Sequence, residues 1–284
     1  MDTHADADEP LEPGTLLNKR YEIVKVLGEG NFGVVYQARE KRLVRGTRQV
    51  AIKQLPLQSI VDCERQADVR ALLKHPAIPR LYDYFAAEAY SYLVEELIAG
   101  RTLEAVLAAE PGFLPEATVV GWAIQLCDAL DYLHTHPYYP LIFRDLKPGN
   151  VMVDKAGQIR LIDFGLVRVY PPGFFEQPQK VFEYLWKGLA MGTEGYSPPE
   201  QYQGYVRPQS DLYALGATLH HLLTKRDPRP ELPFSFKRYP VRSLNPQVSR
   251  GLEAIVMQAV DLDVPSRFAS AREMKAALEA LTPE

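Results

Sequence analysis

Four polar residues, Asp145, Lys147, Asn150 and Asp163, stand among apolar, strand-like runs of the sequence. Burying such groups is costly unless they meet partners or a metal ion. Asn150 opens one run and Asp163 ends the next, so a tight hairpin would bring both to a common end. A carboxylate and an amide oxygen placed together suit Mg²⁺, which prefers oxygen ligands and keeps waters and phosphate oxygens. Asp145 could then orient a hydroxyl nucleophile and accept its proton, while Lys147 offsets charge on the transferring group.

A glycine-rich segment, Gly28-Glu-Gly-Asn-Phe-Gly33, fits the pattern G-x-G-x-x-G. A dinucleotide-binding fingerprint would require a helix directly after it and an acidic residue about 20 positions on. A strand-like run follows instead, and the residue at that distance is Lys53. A glycine turn between antiparallel strands can offer backbone N–H groups to phosphates, and Lys53 would add a cation. The alternative is a plain hairpin with a surface lysine.

The elements that must position these residues change in type along the chain. In the first hundred residues, alternating side chains predict one helix at Val61–Leu73 and strands at Tyr21–Leu27, Val34–Ala38, Gln49–Leu55, Leu81–Ala86 and Ser91–Ile98. Beyond Gly100, helical spacing predicts helices at Thr118–His134, Leu212–Leu223, Leu252–Val260 and Ala271–Leu281. We therefore predict an α+β fold of two lobes that share a cleft, with a flexible acidic tail at 1–14, one lobe at 15–97 and the other at 98–284.

Composition excludes several classes of protein. The 284 residues are 46% hydrophobic and 24% charged, which is ordinary for a globular chain. The net charge of −4 argues against nucleic acid as the main partner. No run approaches the roughly 18 apolar residues that span a bilayer, and the first residues lack an apolar signal core. Two cysteines cannot by themselves build a disulfide framework or a zinc site. These features predict a soluble cytoplasmic protein.

Seven segments in order resemble the eukaryotic-type protein kinase family over roughly residues 19–282. They are the glycine segment, Ala51-Ile-Lys53, Arg144-Asp-Leu-Lys-Pro-Gly-Asn150, Asp163-Phe-Gly165, Ser197-Pro-Pro-Glu200, Ser210-Asp-Leu-Tyr-Ala-Leu-Gly216 and Arg267. His75-Pro-Ala-Ile-Pro79 and Pro198-Pro-Glu-Gln-Tyr202 look like bacterial members. The resemblance implies a bilobal fold with an antiparallel-sheet N-lobe that carries one helix and a helical C-lobe.

The same resemblance implies a Ser/Thr protein kinase that uses ATP and Mg²⁺, with Mn²⁺ as a possible substitute. Asp145 would be the base, Lys147 would steady the γ-phosphate, and Lys53 would hold the α- and β-phosphates. Asn150 and Asp163 would hold the metal. The residues implied to bind the nucleotide are Leu27, Gly28, Gly30, Gly33, Val35, Ala51, Lys53, Glu96, Leu97 and Ile98. The implied partner is a protein substrate with a Ser or Thr acceptor. Glu200 and Arg267 would form a buried ion pair, and Asp211 would anchor the catalytic loop.

Three positions depart from the family pattern. Phe143 replaces a histidine, and we expect its ring to fill the same packing position. Spacing places Gln66 where the family has the helix acid that pairs with Lys53, so Glu64 or Asp68 could supply that charge, or Lys53 could pair poorly. Glu95 stands where the family has an apolar residue behind the adenine, and we expect it to face solvent or a neighbouring polar group.

The loop after Gly165 contains no Ser or Thr before Gly192. We therefore predict that it is ordered without Ser/Thr phosphorylation, by Glu176 or Glu183 near Arg144 or by packing of its aromatic residues. Two other functions stay open at this point. One is a pseudokinase that binds nucleotide without turnover, suggested by Phe143 and the uncertain helix acid. The other is a kinase-fold phosphotransferase for small molecules, against which the Ser-Pro-Pro-Glu segment weighs.

Overall fold

The computed structural model of the chain describes residues 10–30, 33–41, 47–56, 67–68, 70–137, 140–169 and 192–281. The chain divides into two compact units. The small unit contains the residues up to Lys74 and Pro79–Ile98. The large unit contains His75–Ile78 and the residues from Ala99 onward.

The small unit is built on a six-stranded antiparallel sheet in the order β1-β2-β3-β4-β6-β5. Its strands are β1 (Leu16–Leu17), β2 (Tyr21–Gly30), β3 (Gly33–Glu40), β4 (Arg48–Pro56), β5 (Leu81–Ala87) and β6 (Tyr90–Glu96). Side chains alternate between the two faces of a strand. One face carries a buried apolar cluster that includes Tyr36, Ala38, Val50, Ile52 and Val94. The five predicted strands are present, although β6 ends at Glu96 rather than Ile98 because its pairing with β4 stops at the Val50–Glu96 pair.

Helical residues 67–68 and 70–72, called here the small-unit helix, lie against the opposite face of the sheet. Ala67 packs there with Leu55 and Leu93 in a second apolar cluster. The helix was predicted over Val61–Leu73, of which residues 61–66 and 69 lie outside the described part of the chain. The small-unit helix therefore covers the face of the sheet that carries Lys53, which pairs with Leu93 across β4 and β6.

The large unit is mainly helical. Its helices are α1 (Leu103–Ala109), α2 (Glu116–His134), α3 (Pro199–Tyr202), α4 (Pro208–Thr224), α5 (Val241–Leu244), α6 (Arg250–Ala259) and α7 (Ala271–Glu279). Helix α4 is buried on all sides from Ser210 to Thr224. A Cβ at Gly216 would lie 2.7 Å from Ala259 Cβ, so the glycine permits close packing of α4 against the end of α6. The four predicted helices are present, with ends that differ by a few residues.

Short strands in the large unit position the polar loops. Strands β9 (Val151–Asp154) and β10 (Ile159–Leu161) form the predicted hairpin, and β7 (Gly100–Thr102) pairs with β9. Strands β8 (Leu141–Ile142) and β11 (Arg168–Val169) pair on either side of the hairpin in sequence. Among the described residues, no helix combines the length and apolar character that crossing a membrane requires.

Candidate active site

The loop between β8 and β9 is anchored by a buried carboxylate on α4. The Asp211 carboxylate accepts hydrogen bonds from the backbone N–H groups of Phe143 and Arg144, each at 2.8 Å. It is also 2.8 Å from His134 Nε2 on α2. Arg144 has a φ of 70°, a conformation that costs energy for any residue except glycine, and these bonds hold it there. Asp211 therefore fixes the backbone directly before Asp145, as the family resemblance implied.

Asp145 is the centre of the polar network on this loop and is buried. Its Oδ2 accepts a hydrogen bond from Asn150 Nδ2 at 2.7 Å and lies 3.1 Å from Lys147 Nζ. Its Oδ1 accepts a hydrogen bond from the Thr193 hydroxyl at 2.6 Å. Lys147 Nζ also donates to Thr193 Oγ1 at 2.7 Å, so Asp145, Lys147 and Thr193 form a closed triangle. Both carboxylate oxygens of Asp145 are thereby fixed in direction.

Asn150 and Asp163 lie at one end of the β9–β10 hairpin. The backbone N–H of Ile162 donates to Asn150 O at 2.9 Å, which brings Asp163 next to Asn150 in the ladder. Asn150 Nδ2 donates to both Asp145 O and Asp145 Oδ2, so its amide oxygen points away from Asp145. The predicted hairpin is therefore present, and the backbones of Asn150 and Asp163 lie at the same end of it.

This donor set fits Mg²⁺. The ion takes oxygen ligands, and nucleotide sites commonly supply one or two from the protein and the rest from phosphates and water. The amide oxygen of Asn150 and the carboxylate of Asp163 are of this kind. Asp163 has a φ of 64°, and its Oδ1 accepts from Gly165 N at 3.1 Å, which orients the carboxylate. No group of three or more His, Cys, Asp or Glu suited to a metal occurs among the described residues.

Phe143 is buried and packs edge-to-face on Phe164, with ring centroids 5.2 Å apart. Aromatic pairs in this geometry contribute about 0.5–1.5 kcal/mol beyond their buried area. The ring at position 143 thus fills an apolar position beside the Asp163-Phe-Gly165 segment, and the loss of the family's histidine leaves no gap there.

In the small unit, several of the residues predicted to contact the phosphates and the adenine share one face of the sheet. Val35 pairs with Lys53 across β3 and β4, and Ala51 pairs with Glu95 across β4 and β6. Residues that pair directly across antiparallel strands point to the same face, as do residues two apart in one strand. Val35, Ala51, Lys53 and Glu95 therefore line a common face. Within the described residues, the peptide groups of Leu97 and Ile98 make no hydrogen bonds, whereas the Glu96 N–H donates to Arg80 O at 2.8 Å.

The glycines of the glycine-rich segment lie where β2 and β3 end. Gly33 has a φ of 120°, and a Cβ there would lie 1.9 Å from Gln54 O, so only glycine fits. A Cβ at Gly28 would meet nothing within 4 Å, which leaves open space beside that residue. Leu27 is exposed, and Gly30 pairs with Gly33 across β2 and β3.

The predicted partner of Lys53 is only partly described. Asp68 is exposed and, within the described residues, forms no ion pair. Glu64 and Gln66 lie outside the described part of the chain. The residues predicted to order the long loop, Glu176 and Glu183 among them, also lie outside it, because residues 170–191 are not described.

Comparison with known proteins decides the family. A protein kinase domain model matches residues 21–270. The chain belongs to the protein kinase family. A probable serine/threonine-protein kinase of Streptomyces coelicolor is 34% identical over 95% of this chain and 41% of its own length. The serine/threonine-protein kinase PknA of Nostoc is also 34% identical, over 93% of this chain and 48% of its own length. PknB of Mycobacterium tuberculosis is 31% identical, over 92% and 43%. This kinase domain therefore spans less than half the length of these relatives.

Solved structures agree on the fold. The kinase domain of Mycobacterium tuberculosis PknI matches with a TM-score of 0.72 and 24% identity, covering 95% of this chain and 99% of that chain. The apo form of PpkA matches with a TM-score of 0.75 and 23% identity, covering 95% and 100%. The predicted kinase fold, with an antiparallel-sheet small unit and a helical large unit, is confirmed. The predicted membership of the eukaryotic-type Ser/Thr kinases, with bacterial relatives, is confirmed as well.

Sequence reasoning missed one residue that positions the loop between β8 and β9. Gln201 is buried, and its Nε2 donates to Arg144 O at 2.8 Å and to Ser197 Oγ at 3.2 Å. Ser197 Oγ in turn accepts from the backbone N–H of Thr193 at 3.0 Å. A Cβ at Gly192 would lie 2.2 Å from Ser197 Oγ, so this position is closed to larger residues. Gln201 ties the segment that carries Thr193 to the loop that carries Asp145.

The segment after Thr193 ends on a buried tyrosine. The Tyr196 hydroxyl lies 2.6 Å from His221 Nδ1 on α4. Burial lowers the pKa of His221 and raises the pKa of Tyr196, so both groups stay neutral near pH 7. A Cβ at Gly195 would lie 2.6 Å from Pro228 O, which holds the backbone of this segment tightly against the loop after α4.

The Thr193 hydroxyl gives the first testable prediction. Thr193→Val keeps the shape of the side chain but removes the bonds to Asp145 and Lys147, so both groups gain freedom. We expect kcat to fall roughly 10- to 100-fold, because misplacing a catalytic group by about 1 Å can cost two orders of magnitude. The Michaelis constant for ATP should change little.

Steady-state kinetics with Thr193→Ser and Thr118→Val supply the controls. The serine keeps the hydroxyl and should retain most of the activity, and Thr118 is exposed in the first turn of α2. Equal kcat in wild type and Thr193→Val would show that the triangle does not position Asp145.

Proposed function

We propose that this chain transfers the γ-phosphoryl group of ATP to serine or threonine hydroxyls of protein substrates. The observation that carries the proposal is the network at Asp145, a buried carboxylate whose oxygens are fixed by Asn150, Lys147 and Thr193. A carboxylate held in this way can orient a hydroxyl and accept its proton. The hydroxyl oxygen then bonds to the γ-phosphorus, the bond from that phosphorus to the bridging oxygen breaks, and ADP leaves.

Neighbouring residues would supply the electrostatics of this transfer. Lys147 lies 3.1 Å from Asp145 Oδ2 and would stabilise charge on the transferring phosphoryl group. Asn150 and Asp163 would hold Mg²⁺, or Mn²⁺ in its place, which would neutralise phosphate charge when bound. Lys53 would bind the α- and β-phosphates. Because phosphoryl transfer needs little covalent work from the protein, positioning and electrostatics account for most of the catalysis.

The nucleotide base would lie against the small unit. Val35 and Ala51 share the face of the sheet that carries Lys53, and Leu27 flanks the glycine segment, in which Gly28, Gly30 and Gly33 would cover the phosphates. The Glu96 N–H is bonded to Arg80 O. The base would therefore use the peptide groups of Leu97 and Ile98 and the carbonyl of Glu96.

The choice of acceptor rests on the catalytic loop. Asp145-Leu-Lys-Pro is typical of the Ser/Thr enzymes of this family. Lys147 Nζ donates to Thr193 Oγ1 at 2.7 Å, which supports a position for this lysine next to Asp145, the proposed general base. Relatives from three bacteria carry the name serine/threonine-protein kinase. We place the reaction in the cytoplasm because ATP, the proposed phosphate donor, is an intracellular metabolite.

The purified chain with γ-labelled ATP, Mg²⁺ and a generic basic protein tests this proposal. We expect label on serine and threonine after acid hydrolysis and separation of the phosphoamino acids, and loss of label with Lys53→Met. Label on tyrosine alone would contradict the acceptor class. ATP binding without any transfer, in wild type and variants alike, would establish a pseudokinase instead.

A further inference from the structure

Glu95 occupies a special place on the sheet. It pairs directly with Ala51 across β4 and β6 and points to the face that carries Lys53. It also comes directly before the Glu96–Ile98 segment that we assign to the adenine edge. A carboxylate stands here where the family pattern has an apolar side chain.

Arg70, on the small-unit helix, fixes the direction of the Glu95 side chain. Arg70 Nη2 lies 3.2 Å from Glu95 Oε1 and also donates to Pro79 O at 2.5 Å. The Arg70 side chain is 1% exposed, and that of Glu95 is 20% exposed. Ala67 of the same helix packs on Leu93, two residues before Glu95. Glu95 therefore lies next to a polar group, as one of the two predicted alternatives had it, and that group is a buried arginine.

One carboxylate oxygen remains available after this pairing. Oε1 faces Arg70, and within the described residues no group donates to Oε2. An ionised carboxylate only accepts hydrogen bonds. It would attract the amino group at C6 of adenine and repel the carbonyl oxygen that guanine carries at the same position. The pairing with Arg70 keeps Glu95 from turning away to relieve that repulsion.

We propose that Glu95, positioned by Arg70, selects adenine over guanine nucleotides, an inference that rests on the proposed nucleotide site. Guanine would bind more weakly because a lone pair on its carbonyl oxygen would face the fixed, partly buried charge of Glu95 with no proton between them. Arg70 acts through Glu95 and is a positioning residue. The small unit would thus select the nucleotide base through a carboxylate on β6 that an arginine of the small-unit helix holds in place.

Isothermal titration calorimetry of the purified chain with AMP-PNP and GMP-PNP, each with Mg²⁺, tests the inference without any turnover. Wild type should bind AMP-PNP more tightly than GMP-PNP. In Glu95→Gln the amide can turn its NH₂ toward guanine, so the ratio of the two dissociation constants should fall about tenfold or more, the order expected when a hydrogen bond to a charged group is exchanged. Most of the change should be tighter GMP-PNP binding.

Two further variants keep the test decisive. Arg70→Met/Glu95→Met removes both charges together and remains informative if Glu95→Gln alone fails to fold; its ratio should fall as well. Glu22→Gln removes a carboxylate that pairs with exposed Lys41 and Arg39 and should leave the ratio unchanged. An unchanged ratio in folded Glu95 variants that still bind AMP-PNP would overturn this inference alone. Failure of wild type to bind either analogue would overturn the nucleotide site, and the inference with it.

Discussion

Asp145→Asn should lower kcat by a factor on the order of 10²–10⁴, the usual contribution of a general base. The substitution removes the charge that accepts the proton but can preserve the hydrogen bonds. The asparagine oxygen can still accept from Asn150 and Lys147, and its NH₂ can donate to the Thr193 hydroxyl, which also accepts. The loop should therefore keep its structure. Rapid-quench or steady-state assays with labelled ATP measure the loss.

Binding of AMP-PNP and thermal unfolding, measured on the same variant, separate a chemical defect from a structural one. Both should stay close to wild type. Asp128→Asn is the matched control, since this aspartate forms an exposed ion pair with Lys275 and the substitution should leave kcat unchanged. Near-equal turnover of wild type and Asp145→Asn would remove Asp145 from the role of base.

Arg267→Ala should lower the free energy of unfolding by about 3–5 kcal/mol, the usual cost of breaking a buried ion pair. The Arg267 side chain is 0% exposed, and it contacts Glu200 through Nη1 at 2.6 Å and Nη2 at 3.1 Å. It also donates to Asp261 O at 2.6 Å and lies over the Tyr213 ring. Removing the guanidinium leaves the Asp261 carbonyl without this donor and the Glu200 carboxylate without its cation, although Ser210 Oγ still donates to Glu200 Oε1 at 2.9 Å. Urea unfolding followed by circular dichroism measures the change.

Arg272→Ala provides the comparison for this second prediction. Its side chain is 75% exposed and pairs with Asp131 on the surface, so its removal should cost no more than about 1 kcal/mol. Equal stability of the two variants would mean that the Glu200–Arg267 pair contributes no more than a surface contact. A kcat per folded molecule that falls in Arg267→Ala while stability is unchanged would give the pair a role in chemistry instead.

The parts of the site that the sequence could predict are those set by local geometry. Asp145, Lys147 and Asn150 lie within six consecutive positions, so any backbone that turns there brings their side chains together. Asp163 follows because a short hairpin leaves few ways to pair its strands. The strands of the small unit follow from side chains that alternate between the two faces of the sheet.

What escaped prediction depends on contacts between distant segments. Gln201 reaches the carbonyl of Arg144, 57 positions away, and its own neighbours carry no sign of that contact. Arg70 meets Glu95 only because the small-unit helix packs on the sheet. The seven residues of α1 form fewer than two turns, too short for an apolar period to show; the Thr102 side chain caps it by accepting from Ala105 N at 3.1 Å.

We propose that Asn150 and Asp163 hold the metal of a nucleoside triphosphate beside Asp145. A crystal structure of the chain grown with Mn²⁺ and AMP-PNP tests it most directly, because manganese gives an anomalous signal that marks its position. We predict an anomalous peak about 2.0–2.3 Å from Asn150 Oδ1 and from an Asp163 carboxylate oxygen, the range for a hard divalent ion with oxygen ligands, and with phosphate oxygens completing its coordination. Bound AMP-PNP with manganese at other residues, or with no manganese at this hairpin, would contradict the assignment of Asn150 and Asp163 as metal ligands.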